Sequence, residues 1–338
     1  MRGVDYLPPP VECNLDPIAE CNNQCYFCIG QRYLRTNRQE VGEMRQLPTA
    51  YLERLVTFLS EWGVRGLCIS GGGEPSLHPD IAQIIRQTRN ERMDVAFVTN
   101  AVRLPNDLLD ALMLCRWVAL SVNAGNPTSY RAVAGRDNFG KVLENISRLT
   151  TLRSRGGYKV DLCYKFLLLP ENVGTMVQAC RTAKALGVQD FHVRPVDFER
   201  DDIEGHRRLT LDPQYVAEQF ALCHEMETED FHVYTVTHKF DPDFHVKHDF
   251  KRCLATPLVL PILTDGNAYL CVDRKMEETW RLGSAYPEPD RILDWWGSDD
   301  HRRMIGRVDI SKCSRCTWSE YQKQAEAIDD DRMCLAFP

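Results

Sequence analysis

The sequence has no long apolar run and no cluster of charge of one sign. No stretch approaches the roughly 18 apolar residues that a membrane-spanning helix needs, and residues 1–5 do not begin a secretory signal. The net charge is −7, and the Lys and Arg residues are scattered, which leaves no basic surface for nucleic acid or an anionic membrane. We therefore expect a cytoplasmic globular protein with neither nucleic acid nor membrane as a partner.

Three of the cysteines fall in one short stretch. Cys21, Cys25 and Cys28 are separated by three and then two residues, so that their sulfurs can reach three corners of a cubane from one loop. Iron–sulfur clusters are held by cysteine thiolates, usually four. A fourth cysteine is absent from this loop, so one iron would keep an open site for an exogenous ligand, as catalytic metal centres do. Half of a zinc site is the alternative, and a disulfide framework is disfavoured in a chain of this size and compartment.

After this loop, β-type runs alternate with apolar residues at helical spacing, which predicts repeated βα units and a parallel sheet covered by helices. The predicted strands are 11–15, 66–70, 95–99, 117–122, 160–169 and 191–194, and the predicted helices are 52–62, 80–90, 108–114, 139–153 and 175–186. These strands are too few for a closed eight-stranded barrel. The expected fold class is α/β, a partial (β/α)6 TIM-like barrel.

Polar residues follow the predicted strands at the edge where parallel sheets bind ligands. Gly72-Gly73-Glu74 follows the second strand, and its glycines allow close approach of the backbone to a ligand, although a tight turn alone has the same pattern. Asn100 follows the third strand and has a turn role as its alternative. Ser121 and Asn123 share one face at the end of the fourth strand.

The fifth strand alternates between two environments. Asp161, Cys163 and Lys165 share one face, and apolar residues occupy the other. This polar face either lines the barrel mouth as part of an active site or meets solvent. Arg194 on the sixth strand has the same alternatives, and as an active-site residue it would clamp a carboxylate of the substrate or cofactor.

A second set of cysteines lies in the C-terminal region. The charged, aperiodic stretch 197–212 indicates a boundary, so that residues 10–200 form the barrel, 201–250 a linker and helix, and 251–338 a small hairpin and helix domain. Cys253 and Cys271 flank two apolar runs around Asp265-Gly266, which predicts a β-hairpin. The C-x2-C pair at 313 and 316 completes four ligands. This site is expected to be closed, with structural zinc as its alternative, and Cys334 stays unassigned.

The cysteine loop, with Phe27 before its last cysteine, resembles the cluster motif of the radical S-adenosylmethionine (radical SAM) superfamily. The resemblance implies a [4Fe-4S] cluster on the three loop cysteines and a partial barrel. It also implies that Gly72-Gly73-Glu74 holds the amino group of SAM and that Ser121 and Asn123 contact its ribose, although relatives often carry Asp at position 123. Asn100 resembles the Asn of a Thr-Asn-Gly turn, with Ala101 in place of the glycine.

The C-terminal cysteines resemble the Twitch extension of radical SAM enzymes. That resemblance implies an auxiliary [4Fe-4S] cluster on four cysteines: Cys253, Cys271, Cys313 and Cys316. The larger SPASM version would have cysteines at positions 322 and 326. Because Gln322 and Glu326 stand there, a second auxiliary cluster is not expected.

The resemblance implies an enzyme that reductively cleaves SAM to a 5′-deoxyadenosyl radical and abstracts hydrogen from a small-molecule substrate. The expected electron donor is a flavodoxin or ferredoxin. Twitch relatives oxidise or epimerise sugars and aminocyclitols, so we expect an oxidoreductase or an epimerase. Two alternatives remain, a maturase of ribosomal peptides and a non-catalytic metal-binding regulator.

Dehydrogenation, the preferred reaction, needs a base, and a carboxylate is a usual one. In sulfatase-maturing relatives the aspartate directly after the G-x4-C cysteine is the base, but Val272 stands there and Asp273 follows. On a strand this shift reverses the face of the side chain, so Asp161 and Asp273 are both retained as base candidates. For epimerisation, Cys163 is the first thiol to test, with Lys165 on the same face.

Overall fold

The computed structural model describes residues 7–28, 30, 45–196, 211–242, 246–313 and 315–329. The strands of the described residues are β1 (Glu12–Leu15), β2 (Gly66–Ile69), β3 (Asp94–Thr99), β4 (Trp117–Ser121), β5 (Asp161–Leu168), β6 (Asp190–Pro195), β7 (His232–Thr235), β8 (Val259–Ile262), β9 (Asn267–Tyr269) and β10 (Arg281–Ser284). The helices are α1 (Thr49–Trp62), α2 (Ile81–Asn90), α3 (Asn106–Leu112), α4 (Pro127–Ala134), α5 (Phe139–Gly156), α6 (Met176–Ala185), α7 (Pro213–His224), α8 (Ile292–Trp295), α9 (Asp299–Gly306) and α10 (Ser319–Asp329).

All these strands form one sheet, in the order β10-β9-β8-β1-β2-β3-β4-β5-β6-β7. Neighbouring strands from β1 to β7 are parallel, and β8 is parallel to β1. Strands β9 and β10 are antiparallel additions beyond β8. The sheet ends at β10 and β7 and does not close, which confirms the predicted partial α/β barrel.

Two features extend the sheet beyond the six predicted strands. The first strand of the predicted hairpin, β8, pairs with β1 and so continues the barrel sheet. Strand β7 pairs with β6 at the other edge. It was missed because it is four residues long and its alternating His232 and Tyr234 are exposed, which leaves a weak apolar signal.

The core lies between the outer face of the sheet and the helices. On β5 the side chains of Leu162, Tyr164, Phe166 and Leu168 are fully buried. Helix α1 covers the sheet with apolar residues at helical spacing and ends at Gly63, whose φ of 107° is a left-handed cap. Each such aliphatic or aromatic side chain contributes roughly 1.5–3 kcal/mol on burial. Helix α4 was missed, although its capping box of Asn126 and Ser129 is a sequence signal.

The predicted domain boundaries stay predictions. Most of the charged stretch, residues 197–210, lies outside the described residues, and so does Cys334. The helix predicted to follow it is α7. In the described ranges, none of the helices combines the length and apolar character that a bilayer span requires.

Candidate active site

A cavity of about 310 Å³ lies at the carboxyl ends of the parallel strands. Its size falls at the lower end of the roughly 300–1,000 Å³ found for small-molecule sites. Its walls bring together sequence-predicted residues from five separate stretches of the chain: Cys21, Cys25, Cys28, Gly72, Gly73, Glu74, Asn100, Ser121, Asn123 and Arg194.

The cysteine loop is anchored on helix α4. Asn23, which is almost fully buried, donates a side-chain hydrogen bond to the Tyr130 hydroxyl at 3.1 Å. Burial, opposed by local hydrogen bonds, raises the pKa of Cys21 to about 11. Burial and the neighbouring Cys28 and Cys21 sulfurs raise the pKa of Cys25 to about 12. Thiolates crowded in such a pocket need a compensating cation, which the irons of a cluster supply.

The glycine loop packs directly against the residues that precede Cys21. A Cβ on Gly73 would lie 2.3 Å from the Glu20 carbonyl oxygen, so only glycine fits. The Glu74 amide donates to the same carbonyl at 2.7 Å. A Cβ on Gly30 would meet the Gly72 carbonyl at 2.4 Å. The two loops therefore form one close-packed unit around the cavity.

Glu74 organises this unit with a buried carboxylate. Its Oε1 accepts from the Ser76 amide at 3.1 Å and from the Thr99 hydroxyl at 2.6 Å, and its Oε2 accepts from the Asn100 amide at 2.7 Å. Burial raises the pKa of Glu74, while these hydrogen bonds oppose the rise. An ionised carboxylate offers about four acceptor positions. Protein donors therefore occupy three of these positions.

Asn100 combines the turn role and the site role. Its Nδ2 donates to Asn22 at 2.6 Å and lies 3.7 Å from the Cys21 sulfur, while its Oδ1 accepts from the Val102 amide. The next residue, Ala101, is buried with a φ of 59°, where the related motif has glycine. This left-handed conformation strains a residue with a Cβ, and the surrounding contacts maintain it.

Asn123 also has a positive φ, of 57°. Its side-chain oxygen accepts from the Leu167 amide at 2.8 Å, and its carbonyl accepts from the Asn172 side chain at 2.8 Å. These bonds tie the end of β4 to β5. Ser121, two residues earlier, lies opposite Lys165 in the β4–β5 register.

A family model described as the Radical SAM superfamily matches residues 16–188, just over half of the chain. The chain belongs to the radical SAM superfamily. The matched range includes the cysteine loop, the glycine loop and the end of β4. SAM and [4Fe-4S] chemistry are thereby confirmed as the cofactor class of the chain.

Curated relatives share the family but only part of their length. A Thermococcus kodakarensis protein named "Probable GTP 3′,8-cyclase" is 31% identical over 142 residues, which are 41% of this chain and 43% of the relative. An "S-adenosylmethionine-dependent nucleotide dehydratase" from a Thermoplasmatales archaeon is 27% identical over 150 residues, 44% of this chain and 50% of the relative. The chain spans about half the length of the curated relatives it matches.

Solved structures share the fold over most of the chain. Streptococcus suis SuiB bound to S-adenosylmethionine aligns with a TM-score of 0.65 and 15% identity, over 86% of this chain and 66% of SuiB. Native anSMEcpe with bound AdoMet aligns with a TM-score of 0.63 and 16% identity, over 93% of this chain and 89% of that chain. The likeness extends through the C-terminal region, so the radical SAM barrel and the cysteine-bearing extension follow one shared fold.

The polar face of β5 lies deeper than the radical SAM cavity. Leu167 lines the cavity, whereas Asp161, Cys163 and Lys165, which share its face by alternation, lie toward the amino end of the strand. Cys163 is only 8% exposed. Burial raises its pKa to about 11, although Lys165 opposes the rise. The structure thus brings Arg194 to the cavity and leaves these three β5 residues out of its lining.

An ion pair that was not predicted from the sequence lies beside the cavity. Lys275 lines the cavity and donates to both carboxylate oxygens of Asp16, at 3.0 and 2.7 Å. Asp16 is 1% exposed, and its Oδ1 also accepts from the Ser70 hydroxyl at 3.3 Å. Ser70 lies 3.3 Å from the Asn14 side-chain oxygen. The only sequence signal for Asp16 is its position directly after β1.

The four C-terminal cysteines line a second, more enclosed cavity. Burial raises the pKa of Cys253 and of Cys271, and it raises that of Cys316 to about 12. Trp318 lines this cavity, and its buried indole N–H has no hydrogen-bond partner among the residues that the structure describes. Arg274 approaches the Cys313 sulfur at 3.6 Å. These thiols and donors fit a group that carries acceptor sulfurs, as an iron–sulfur cluster does.

Neither set of cysteines forms a compact site for a single metal ion among the residues that the structure describes. Within the described ranges, no three or more Cys, His, Asp or Glu side chains are grouped to hold a single metal ion. The cysteines instead line the walls of the two cavities.

Asp273 lines the second cavity, and its carboxylate is held by Arg315 and Thr317, which argues against Asp273 as a catalytic base. Its carboxylate accepts from Arg315 Nε at 2.5 Å, from the Thr317 amide at 2.6 Å and from the Thr317 hydroxyl at 2.7 Å. Burial works to raise its pKa, but the Arg315 charge and the Thr317 hydrogen bonds outweigh it and lower the pKa. Asp273 stands one residue later than the aspartate that directly follows the cysteine in sulfatase-maturing relatives. Val272 therefore lines the active cavity, and Asp273 lines the second cavity.

Proposed function

We propose that this chain is a radical SAM enzyme that abstracts hydrogen from a small polar substrate, with Cys21, Cys25 and Cys28 as the ligands of the SAM-binding cluster. The observation that carries the proposal is the single cavity lined by these cysteines, the glycine loop and the ends of β3, β4 and β6. When bound, the cluster and SAM supply one-electron cleavage to a 5′-deoxyadenosyl radical, with flavodoxin or ferredoxin as the electron donor.

The SAM contacts follow from the acceptors and donors around the cavity. The Glu74 carboxylate is the proposed acceptor for the SAM ammonium, in a charge-assisted hydrogen bond. The side-chain oxygen of Asn123 already accepts from the Leu167 amide, so its NH₂ group is the proposed donor to a ribose hydroxyl. Ser121 is the second proposed ribose contact. Arg194 is positioned for the SAM carboxylate or an anionic group of the substrate. Asn100 orders Cys21 and Glu74.

The substrate would lie against the β1–β2 side of the cavity. Asp16, Lys275 and Ser70 offer an acceptor, a cation and a hydroxyl, with Asp16 within hydrogen-bond distance of both Lys275 and Ser70. Hydroxyl and amino groups of a sugar or aminocyclitol match this set, because each can both donate and accept hydrogen bonds. The proposed reaction is dehydrogenation of such a substrate, with epimerisation as its variant. In dehydrogenation the 5′-deoxyadenosyl radical would take one hydrogen atom, an auxiliary cluster held by Cys253, Cys271, Cys313 and Cys316 would accept the second electron, and a base would take the hydroxyl proton.

A nucleotide is the second candidate substrate. Arg194, Lys275 and Arg315 all line the cavity, and cationic side chains suit phosphate groups. Relatives named GTP 3′,8-cyclase and nucleotide dehydratase support the same class. A peptide is the third class, because the structural neighbour SuiB has been solved with a precursor peptide.

The reaction direction is tested through Cys163. Its thiol lies outside the cavity lining, which supports dehydrogenation over epimerisation, but burial raises its pKa to about 11, so a Cys163 thiol that reached the substrate would be protonated, as a hydrogen-atom donor must be. Epimerisation that uses this thiol would leave one non-exchangeable deuterium in product formed in deuterated water, and Cys163→Ala would abolish turnover to product. Dehydrogenation would yield a ketone without solvent deuterium at carbon, and Cys163→Ala would leave it unchanged.

The proposal is tested with anaerobically reconstituted protein. Reduction with dithionite in the presence of SAM should form 5′-deoxyadenosine, and Cys21→Ala should abolish it. Candidate sugars, aminocyclitols, GTP and peptides are then supplied with deuterium at carbon, and transfer into 5′-deoxyadenosine identifies the substrate class. Protein that carries its clusters yet never cleaves SAM would contradict the enzyme assignment and favour a metal-binding regulator.

A further inference from the structure

Helix α10 places two buried polar side chains against the segment that carries Cys253. Gln322 is 3% exposed and Glu326 is 5% exposed. Both reach residues 251–255, which lie 67 to 75 positions earlier in the chain. Buried polar groups are costly unless they are hydrogen-bonded, so the partners of these two side chains indicate what each does.

Gln322 divides its amide between the backbone and a sulfur. Its Oε1 accepts from the Leu254 amide at 2.5 Å and from the Ala255 amide at 2.8 Å. Its Nε2 donates to the Cys253 sulfur at 3.3 Å. Because the two backbone N–H groups require an acceptor, they fix the orientation of the amide and leave only its NH₂ side for the sulfur.

Glu326 holds the same segment without touching the sulfur. Its two carboxylate oxygens accept from the Lys251 amide at 3.0 and 3.2 Å, and Arg252 Nε lies 3.6 Å from Oε1. The pair thus separates two tasks. Glu326 positions the backbone before Cys253, whereas Gln322 positions the backbone after it and also contacts the thiol.

We propose that Gln322 is a positioning residue that raises the reduction potential of the cluster held by Cys253. The inference rests on the proposed assignment of Cys253, Cys271, Cys313 and Cys316 to an auxiliary cluster. A hydrogen bond to a ligating sulfur stabilises the more negative, reduced state, and hydrogen bonds to sulfur are among the factors that set cluster potentials. The enclosed cavity strengthens the effect, because low polarity increases electrostatic interactions.

The test compares Gln322→Glu with Glu326→Gln in the full chain, in a background where the three loop cysteines are alanine so that only the C-terminal cluster is observed. Gln322→Glu keeps an acceptor for Leu254 and Ala255 but replaces the donor to sulfur with a carboxylate. Glu326→Gln keeps an acceptor for Lys251 and leaves the sulfur contact intact. Both proteins are titrated with dithionite and followed by electron paramagnetic resonance.

We expect Gln322→Glu to lower the ratio of reduced to oxidised cluster at a fixed potential by about tenfold. For a one-electron couple this is a fall of about 59 mV in the midpoint potential. Glu326→Gln should titrate like the parent. If Gln322→Glu fails to hold a cluster, Gln322→Met, which removes the donor without adding charge, should show a fall in the same direction. An unchanged midpoint in whichever variant retains the cluster overturns the inference.

Failure of the underlying assignment has a different signature. A parent protein with alanine at the three loop cysteines and no iron would overturn the auxiliary cluster itself, and the role of Gln322 with it. A parent that binds four irons, with variants of unchanged potential, would overturn only the role of Gln322.

Discussion

The Glu74 carboxylate allows the clearest separation of SAM binding from folding. Glu74→Gln removes the negative charge and keeps the shape of the side chain, but its single oxygen can accept from only one side, so either the Asn100 amide or the Ser76 and Thr99 donors meet its NH₂ group. Glu74→Ala removes every acceptor and leaves the buried Ser76 and Asn100 amides, and the Thr99 hydroxyl, without their partner. The two substitutions should therefore fail in different ways.

The magnitudes follow from these contacts. A hydrogen bond to a charged group contributes about 1.5–3 kcal/mol. With a factor of ten for every 1.4 kcal/mol, Glu74→Gln should weaken SAM binding roughly 10- to 150-fold. Glu74→Ala should also lower the free energy of unfolding, by about 1–3 kcal/mol for each stranded buried donor.

The assay measures SAM affinity by equilibrium dialysis on anaerobically reconstituted protein, together with iron content and thermal unfolding. Thr99→Val is the matched control, because it removes one hydrogen bond to Glu74 and leaves the charge. SAM affinity should then stay near that of the parent. If Glu74→Gln retains both clusters and binds SAM like the parent, the assignment of this carboxylate to the ammonium is refuted.

The pH dependence of SAM affinity provides a second measurement on Glu74. Burial raises the pKa of Glu74 above that of an ordinary glutamate. SAM affinity should therefore begin to fall, as pH is lowered, at a higher pH than an exposed carboxyl would give. A raised folded-state pKa also means that ionisation of Glu74 costs stability as pH rises through it. Glu74→Gln should remove both dependences.

Three further predictions concern other parts of the site. The reconstituted protein should bind about eight irons, as two cubanes, and alanine at any of the three loop cysteines should abolish SAM cleavage; a single cluster or zinc in the second site would contradict this. Lys275→Met should destabilise the fold by about 3–5 kcal/mol, because it leaves the buried Asp16 carboxylate uncompensated. Asp16→Asn should cost less, because Lys275 is partly exposed, and the double variant should recover part of the Lys275→Met loss in thermal unfolding. Burial raises the pKa of Glu12 from 4.5 to about 7, so the folded protein holds this proton more tightly than the unfolded chain. The parent should therefore lose stability relative to Glu12→Gln as pH rises through that interval, by at most about 3–4 kcal/mol, and parallel pH profiles would refute it.

Local sequence patterns predicted those features of the site that are set by residues close together in the chain. The three-cysteine loop, the Gly72-Gly73-Glu74 turn and the pair at 121 and 123 all follow from spacing and strand ends, and all line one cavity. These features need only the backbone period and the parallel sheet. Val272 and Asp273 do line different cavities, but they lie in a turn after β9 and not on the strand from which the sequence predicted their separation.

Long-range pairing decided the rest. Asp16 and Lys275 are 259 residues apart, and no local pattern links them. Their contact exists because β8 pairs with β1, which brings the segment after Cys271 over the end of β1. The roles of Gln322 and Glu326 likewise depend on how α10 packs against residues 251–255. The sequence alone shows that both positions lack cysteine, but it does not show what the replacements contact.

The segment from Cys271 to Met276 explains why the two cavities are inseparable in this chain. Val272, Lys275 and Met276 line the active cavity, whereas Cys271, Asp273 and Arg274 line the second one. Met276 has a φ of 75°, a strained value for a residue with a side chain, and its methyl group would lie 3.0 Å from a Cβ on Gly72. Because each residue of this short segment is committed to one cavity, a shift that adjusts one must displace the other. The strained backbone of Met276 therefore lies on the side of the active cavity, where its side chain approaches Gly72.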